Sequence, residues 1–231
     1  MPSHADHVVN RARLAGRQPE ISRHGLTLRP WTDLDCPELV AAFKDEAIRK
    51  WNLRSLDSTA DARKLIAGWK RGWKRHISAS WAVVAETEPT KVLGQVGFRS
   101  LYAQDGMAEV SYWVLPRYRR QGIATQAADV LAQWALDEVK LVRLELVHSV
   151  YNRESCGVAR AAGFEVEGIK RCLQRHADGW HDMCLHSRIA DGTPTPPRAM
   201  RLRLRVAARL DGSYRAGDAA GRARELAGTR R

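Results

Sequence analysis

The chain has 231 residues, a formal net charge of +12 and 44% hydrophobic residues. This length accommodates one domain with a sizeable core and flanking tails. No apolar run approaches the roughly 18 residues that a membrane-spanning helix needs, and the N-terminal segment lacks the apolar stretch of a secretion signal. The composition therefore favours a globular protein over a membrane or secreted one.

The cysteines predict neither disulfides nor a metal site. They are far apart in sequence and form no Cys-x-x-Cys pair and no metal-binding pattern with the histidines. This spacing predicts reduced thiols, a cytoplasmic protein and no bound metal. The residues concerned are Cys36, Cys156, Cys172 and Cys184.

The first third of the domain predicts one strand and two helices. Residues 26–31 are expected to form the first strand. Asp33 or Asp35 is expected to cap the helix that follows, and this helix should end near Asp45. Apolar residues at helical spacing predict a second helix over about 58–73.

The middle and the end of the domain predict a sheet interrupted by helices. Two apolar segments at 81–85 and 92–98 flank a Glu-Pro-Thr turn at 88–90, which predicts a hairpin. Antiparallel neighbours followed by a strand–helix–strand unit predict an α/β fold with a mixed sheet. The later elements are expected at 108–115 (strand), 124–138 (helix), 142–148 (strand), 153–162 (helix), 164–171 (strand) and 182–189 (strand).

Half of the net charge lies in the C-terminal segment, where residues 191–231 carry ten arginines against four acidic residues. A Pro-rich stretch at 192–197 predicts an extended linker, and residues 201–206 alternate arginine with apolar residues, as in an edge strand or a marginal helix. Residues 210–231 are predicted to be disordered. We therefore expect three regions: an N-terminal extension at 1–22, a domain at 23–190 and a flexible basic tail at 191–231.

A basic turn separates the strand at 108–115 from the helix at 124–138. It reads Arg119-Arg120-Gln121-Gly122-Ile123-Ala124. The first N–H groups of a helix have no partner within the helix, and the helix dipole favours negative charge there. Glycine lets the backbone approach a phosphate closely. The turn is therefore a candidate phosphate site, and the alternative is a solvated basic turn.

Four motifs in sequence order resemble the GCN5-related N-acetyltransferase (GNAT) superfamily. The basic turn resembles that family's Arg/Gln-x-x-Gly-x-Gly/Ala loop; Ala-Glu-Val-Ser-Tyr-Trp at 108–113 precedes it, and Asn-Arg-Glu-Ser at 152–155 and Gly-Phe at 163–164 follow. The set is most similar to the branch typified by ribosomal-protein alanine N-terminal acetyltransferases. The resemblance covers about residues 23–190. It implies a mixed, mostly antiparallel sheet with flanking helices and a splayed acyl-CoA cleft.

The resemblance also implies acetyl-CoA, or another acyl-CoA, as co-substrate. Main-chain N–H groups of the strand before the loop would polarise the thioester carbonyl, which indicates Trp113, Val114 and Leu115. Asn152 is expected to contact the pantetheine, to cap the next helix, or to do both. The pyrophosphate is expected on the loop and the helix start, at Arg119, Arg120, Gln121, Gly122, Ile123, Ala124 and Thr125.

The chain departs from the wider family at the acid that serves the departing thiolate. Many relatives have a tyrosine seven residues after the asparagine, where this chain has Ala159. Ser155 matches the serine of the resembled branch and is the candidate catalytic hydroxyl; the alternative is an ordinary first-turn helix residue. Tyr151 and Cys156 are weaker candidates.

Glu109 is the candidate base for the amine, because it matches an acidic position common in the branch. The alternative is an exposed strand residue paired with Arg99. Lesser candidates for proton transfer are Glu145, Glu167, His148 and His181. Four tryptophans either wall an acceptor pocket or, in the simpler interpretation, pack in the core: Trp31, Trp51, Trp69 and Trp73.

These observations predict an N-acetyltransferase that moves an acetyl group from acetyl-CoA to a primary amine by direct attack. The acceptor is expected to be a protein N-terminus or a small-molecule amine, with no membrane partner, and the protein a monomer or homodimer. One alternative is an acyl-CoA-binding regulatory module with little turnover, which the missing tyrosine at Ala159 keeps open. Another is nucleic-acid association through the basic tail, although no recognition motif is visible.

Overall fold

The structure, a computed structural model, describes residues 9–193, so the predictions for 194–231 lie outside the described residues. In this range eight strands form one sheet in the order β1-β2-β3-β4-β5-β6-β8-β7. Neighbouring strands are antiparallel except for the parallel pair β5 and β6. The strands are β1 (Ile21–Arg23), β2 (Leu26–Pro30), β3 (Ala79–Ala85), β4 (Glu88–Tyr102), β5 (Met107–Val114), β6 (Arg143–Ser149), β7 (Glu165–His176) and β8 (Gly179–Ile189).

Helices cover both faces of this sheet. They are α1 (Cys36–Ala42), α2 (Glu46–Asn52), α3 (Thr59–Lys74), α4 (Ile123–Gln133) and α5 (Arg153–Ala161), and a π-helical turn continues α4 over Trp134–Glu138. None of the helices within the described range is long and apolar enough to cross a membrane. The predicted mixed α/β fold with a mostly antiparallel sheet is confirmed.

Local capping explains where two of the helices begin. Ser58 accepts a hydrogen bond from the N–H of Asp61 and starts α3, as the sequence predicts. Asp45 accepts one from the N–H of Ile48 and starts α2, which the sequence analysis missed. The predicted end of the first helix near Asp45 was wrong: α1 ends at Ala42, and Asp45 opens a new helix instead.

The strands differ from the prediction at two places. The hairpin turn between β3 and β4 lies at residues 86–87, not at 88–90, because β4 already begins at Glu88. A short strand, β1, precedes the first predicted one and pairs Ile21 with Leu28 of β2. In the segment predicted as an N-terminal extension, the side chains of Val9 and Leu14 are buried in the core.

The core lies on both faces of the sheet. One cluster packs α4 on strand residues that include Val110 and Val114. The other packs α1, α2 and α3 on the opposite face and contains Trp113 and Leu115. Residues 113–115 of β5 and the loop after it thus divide between the two faces, as the alternation of an extended chain requires. The cavity described below opens beside this part of β5.

A buried ion pair joins β2 to the residue that precedes α1. The Nη1 and Nη2 atoms of Arg29 both donate to the carboxylate of Asp35, at 2.9 and 2.7 Å. Asp35 also accepts from the N–H and the hydroxyl of Thr32. Burial alone would raise the pKa of Asp35, but the hydrogen bonds from Arg29 and Thr32 outweigh it and the pKa lies below its usual 3.8.

We expect Asp35→Asn to destabilise the protein by about 3 kcal/mol at pH 7, because it removes one partner of a buried pair. The folded-state pKa of Asp35 is depressed, so its contribution is present above the unfolded value of 3.8 and is lost as pH falls through the folded value. The difference between wild type and variant, measured by urea unfolding, should therefore shrink in acid. Asp33→Asn, at an exposed neighbour, is the control, and a difference that does not change with pH would contradict the prediction.

Candidate active site

A cavity of about 750 Å³ opens where β5 and β6 separate. The two strands pair only from Met107 and Arg143 to Val110 and Leu146. Beyond Val110, β5 remains on β4 and β6 remains on β8. The predicted splayed cleft is therefore present, with an unpaired strand edge along one wall.

The N-terminus of α4 forms one end of this cavity. Gly122 has φ of 76°, in the left-handed region that favours glycine, and Arg120 has φ of 61°. These two residues fold the loop so that α4 begins at Ile123. Because a helix leaves its first N–H groups without intrahelical partners, Ile123, Ala124 and Thr125 present them at the cavity. The end of the cavity is therefore suited to an anion.

Most of the predicted cofactor residues share this cavity. The structure brings together Trp113, Val114, Arg119, Arg120, Gly122, Ile123, Ala124, Thr125, Asn152 and Ser155 as lining residues. Leu115 and Gln121 are not among them; the side-chain amide of Gln121 instead donates to the carbonyl of Arg117 at 3.3 Å. The predictions for the loop thus converge on one site, apart from these two positions.

The main-chain hydrogen bonds of β5 indicate which of the three predicted N–H groups is available to polarise the thioester carbonyl. The N–H of Leu115 donates to the carbonyl of Leu93 at 3.0 Å, so it is not free for the predicted role. In an antiparallel pair, residues whose main-chain groups bond to the neighbouring strand alternate with residues whose groups do not. Trp113 lies two residues before Leu115 and opposite Gln95, so its main-chain groups also face β4. Val114 lies between them and directs its N–H and carbonyl away from β4, toward the cleft.

The side chain of Arg119 holds the loop in place through contacts with neighbouring residues. Its guanidinium donates to Asp45 at 2.7 Å and to the carbonyl of Val114 at 3.2 Å. Burial would raise the pKa of Asp45, but hydrogen bonds from Arg119 and from the main chain of Ile48 lower it overall. Arg119 therefore ties the loop to the start of α2, and Arg120 is left exposed as the arginine beside the anion-binding end.

The cavity also contains a pair of hydrogen-bonded hydroxyls, and the sequence analysis did not predict this pairing. The phenol of Tyr112 and the hydroxyl of Ser155 are 2.8 Å apart. Burial raises the pKa of Tyr112 to about 12, and the hydrogen bond with Ser155 opposes this only in part. The phenol is therefore neutral at pH 7. The alternation of β5, which sends Val110, Tyr112 and Val114 to one face, was the only available signal.

Asn152 caps α5 and lies at the cavity wall. Its side-chain oxygen accepts from the N–H of Ser155 at 3.2 Å, which fixes the first turn of the helix. Both expected roles of Asn152 are compatible with this position, since it also lines the cavity. Contact with the pantetheine stays a prediction.

Glu109 forms the ion pair with Arg99 that was the alternative to a catalytic role. Its Oε1 atom lies 3.8 Å from Nε of Arg99, which joins β5 to β4. Arg99 lines the cavity, whereas Glu109 is not among the lining residues. The role of Glu109 as a base therefore stays a prediction without geometric support.

Another part of the cavity lining is aromatic and contains histidine. Trp51 of α2 packs edge-on against His176 of β7, with ring centroids 5.8 Å apart. His176 stacks on His181 at 4.0 Å, and burial followed by the His181 charge lowers its pKa. Of the four tryptophans considered for an acceptor pocket, Trp31 and Trp73 are core residues and only Trp51 lines this cavity.

The "Acetyltransferase (GNAT) domain" family matches residues 25–165, which is more than half of the chain. The chain belongs to the GNAT acetyltransferase family. It is accordingly an N-acetyltransferase by family, and the resemblance inferred from the loop motifs is confirmed.

Individual GNAT relatives agree with the resembled branch. The chain is 27% identical over 136 residues to the ribosomal-protein-serine acetyltransferase of Escherichia coli, covering 59% of this chain and 74% of that one. It is 26% identical over 155 residues to the uncharacterized N-acetyltransferase YoaA of Bacillus subtilis, covering 66% and 86%. Among solved structures, the ribosomal L7/L12 alpha-N-protein acetyltransferase RimL in complex with coenzyme A shares 23% identity and a TM-score of 0.65, covering 75% and 99%.

Proposed function

We propose that this GNAT protein transfers an acetyl group from acetyl-CoA to the α-amino group of a protein N-terminus. One observation carries the proposal: a single cavity joins the free helix start of α4, the unpaired edge of β5 and the Tyr112–Ser155 hydroxyl pair. These are the groups that a diphosphate, a thioester carbonyl and a departing thiolate require. The names of the relatives support the acceptor class.

The cofactor is proposed to bind with its pyrophosphate at the start of α4. The N–H groups of Ile123, Ala124 and Thr125 would donate to the phosphate oxygens, and the helix dipole and Arg120 would favour their charge. Asn152 and the open edge of β5 would hold the pantetheine along the cleft. The N–H of Val114 would then donate to the thioester oxygen, where negative charge develops in the transition state.

The chemical step is proposed as direct attack. The neutral amine forms a bond to the carbonyl carbon, the carbon–sulfur bond breaks, the amine loses one proton and the thiolate gains one. The Ser155 hydroxyl donates to the sulfur as charge develops, and the phenol of Tyr112 orients that hydroxyl. Because the phenol is a weak acid, with a pKa of about 12, Tyr112 acts as a positioning residue and the proton that reaches sulfur derives from the amine.

The acceptor is proposed to enter at the part of the cavity that Trp51 and His176 line. The pKa of His176 is lowered by burial and by His181, although the main chain of Lys50 and the charge of Asp178 oppose the shift. The ring is therefore neutral at pH 7 and able to accept the proton that an incoming ammonium group must lose to become the neutral amine. This makes His176 a better-placed candidate base than Glu109.

The proposal also includes a reducing, cytoplasmic setting, in which the thiols stay reduced.

The test measures thiol release from acetyl-CoA with peptides that begin with free Ser or Ala, with the same peptides blocked at the N-terminus, and with small primary amines. We expect turnover with the free peptides and a product carrying one acetyl group on the α-amino nitrogen, located by tandem mass spectrometry. Turnover with small amines alone would overturn the acceptor. Acetyl-CoA binding without turnover on any amine would overturn the transferase in favour of a regulatory module.

A further inference from the structure

Three side chains with metal-binding atoms converge beside the cavity and have no part in the proposed reaction. They are His148 on β6 and Cys184 and His186 on β8, and their donor atoms all lie within 4.8 Å of one another. His148 is directly opposite Cys184 in the strand pair, and His186 follows on the same face of β8. All three are buried.

Hydrogen bonding leaves two imidazole nitrogens facing each other. The Nδ1 atom of His148 lies 2.8 Å from the carbonyl oxygen of Ser149, which can only accept, so Nδ1 carries the proton. The Nε2 atom of His148 is then a lone pair, and it points at Nε2 of His186 at 3.1 Å. The Sγ atom of Cys184 is 3.4 Å from the same nitrogen.

Neither neutral form of His186 satisfies this arrangement. If Nε2 of His186 carries the proton, it donates to His148, but Nδ1 is then a buried lone pair with no hydrogen-bond partner among the described residues. If Nδ1 carries the proton, it is a buried donor that likewise has no hydrogen-bond partner among the described residues. The Nε2 lone pairs of His148 and His186 then face each other at 3.1 Å, an arrangement that a cation bound between them would stabilise.

Two of the three donor separations are close to those of a tetrahedral zinc site. Ligands at the usual Zn–N and Zn–S lengths stand about 3.3 Å apart for two nitrogens and about 3.6 Å apart for nitrogen and sulfur. The observed separations of 3.1 and 3.4 Å are each slightly shorter. The third pair, His148 and Cys184, is no wider than 4.8 Å and would have to shorten. Imidazole Nδ1 groups that donate to main-chain carbonyls are the usual support for such ligands.

A route and an open position are available. His148 lines the cavity, so a hydrated ion can reach the cluster from the cleft, and a fourth ligand can approach from that side. The charged group that acts on both Cys184 and His186 is Arg160 of α5. Its positive charge opposes a divalent ion, but Arg160 is exposed and solvent screens it.

We propose that the chain binds one Zn²⁺ through Nε2 of His148, Nε2 of His186 and Sγ of Cys184, with the fourth position open toward the cavity. Cys184 binds as the thiolate, and its proton passes to the solvent. This site differs from the sequence-based prediction of no bound metal. It is independent of the acetyl-transfer proposal, because none of the three residues has a role in that reaction.

The experiment uses the full chain without a polyhistidine tag, stripped with a chelator and kept reduced under nitrogen. Titration with Co²⁺ should give one equivalent per chain, with visible bands of tetrahedral cobalt and a thiolate-to-cobalt charge-transfer band. Zn²⁺ should then displace the cobalt. Affinity for Zn²⁺ is measured by competition with a chromophoric chelator, so the readout does not depend on enzyme activity.

Cys184→Ala should abolish the charge-transfer band, and Cys184→Ala and His186→Gln should each weaken Zn²⁺ binding by more than about 100-fold, beyond what loss of an outer-shell partner causes. Cys36→Ala, at a buried cysteine in the core cluster of α1, α2 and α3, should leave both unchanged. Circular dichroism checks that each variant is folded. A wild type that binds less than one equivalent, or a charge-transfer band that persists in Cys184→Ala, would overturn the proposal and leave a hydrogen-bonded histidine pair.

Discussion

Ser155→Ala is expected to lower kcat for acetyl transfer about 100-fold while leaving the dissociation constant of acetyl-CoA within about threefold of wild type. Removal of one preorganised donor to a developing charge typically has an effect of this size on kcat. The substrate complex is less affected, because the thioester sulfur carries little charge before the bond breaks. Thiol release at saturating acetyl-CoA, together with calorimetric binding, separates the two quantities.

Tyr112→Phe tests whether the phenol acts through Ser155. Loss of the 2.8 Å hydrogen bond should reduce kcat about tenfold, and the substitution should have almost no further effect in a Ser155→Ala background. Tyr102→Phe, which alters an exposed tyrosine, is the matched control and should not change kcat. Additive losses in the double variant would contradict a shared role and would assign Tyr112 an independent one.

Trp81→Ala is expected to destabilise the protein by about 4 kcal/mol, the largest stability effect that we predict for a single side chain. Trp81 has no exposed surface and packs edge-on against Trp73, Phe98 and Trp134, with ring centroids 5.8–5.9 Å away. Its indole N–H also donates to the carbonyl of Pro19 at 2.8 Å. The substitution therefore creates a cavity and leaves the carbonyl of Pro19 without its donor.

Urea unfolding at pH 7 measures this loss. Trp81→Phe keeps most of the ring packing but removes the N–H, so we expect about 1–2 kcal/mol for that variant. Trp180→Ala, at a tryptophan with 62% of its surface exposed, should stay within about 0.5 kcal/mol of wild type. If Trp81→Ala and Trp180→Ala were equally stable, the assignment of Trp81 to the centre of the core would be wrong.

The elements that the sequence predicted well are those with a local cause. Helix α3 follows from the Ser58 cap and from apolar residues at helical spacing, and β5 and β6 follow from apolar alternation. The elements that were missed are short: α2 has seven residues and β1 has three. Such segments hold little periodicity of their own and depend on tertiary contacts, as when Asp45 both caps α2 and binds Arg119.

The candidate site shows the same difference between features with a local cause and features that depend on tertiary contacts. The loop motif around Gly122 predicts an anion site, because the start of a helix, a glycine and basic residues are adjacent in the sequence. Tyr112 and Ser155 are 43 residues apart in sequence. Because Ala159 occupies the position where relatives have tyrosine, the sequence analysis named only Tyr151 as a candidate phenol. Likewise, the widely spaced cysteines predicted no metal, whereas the pairing of β6 with β8 sets His148 against Cys184.

The sequence by itself determined the family, the main helices and strands, and the loop that begins α4, because these depend on residues close together in the chain. Only the tertiary structure decided which main-chain N–H faces the cleft, which arginine is engaged with Asp45, and which hydroxyls and imidazoles meet. Those relations depend on strand register and on the separation of β5 from β6. Register is fixed by packing across the whole sheet, and a shift of one residue would direct each of these side chains to the opposite face.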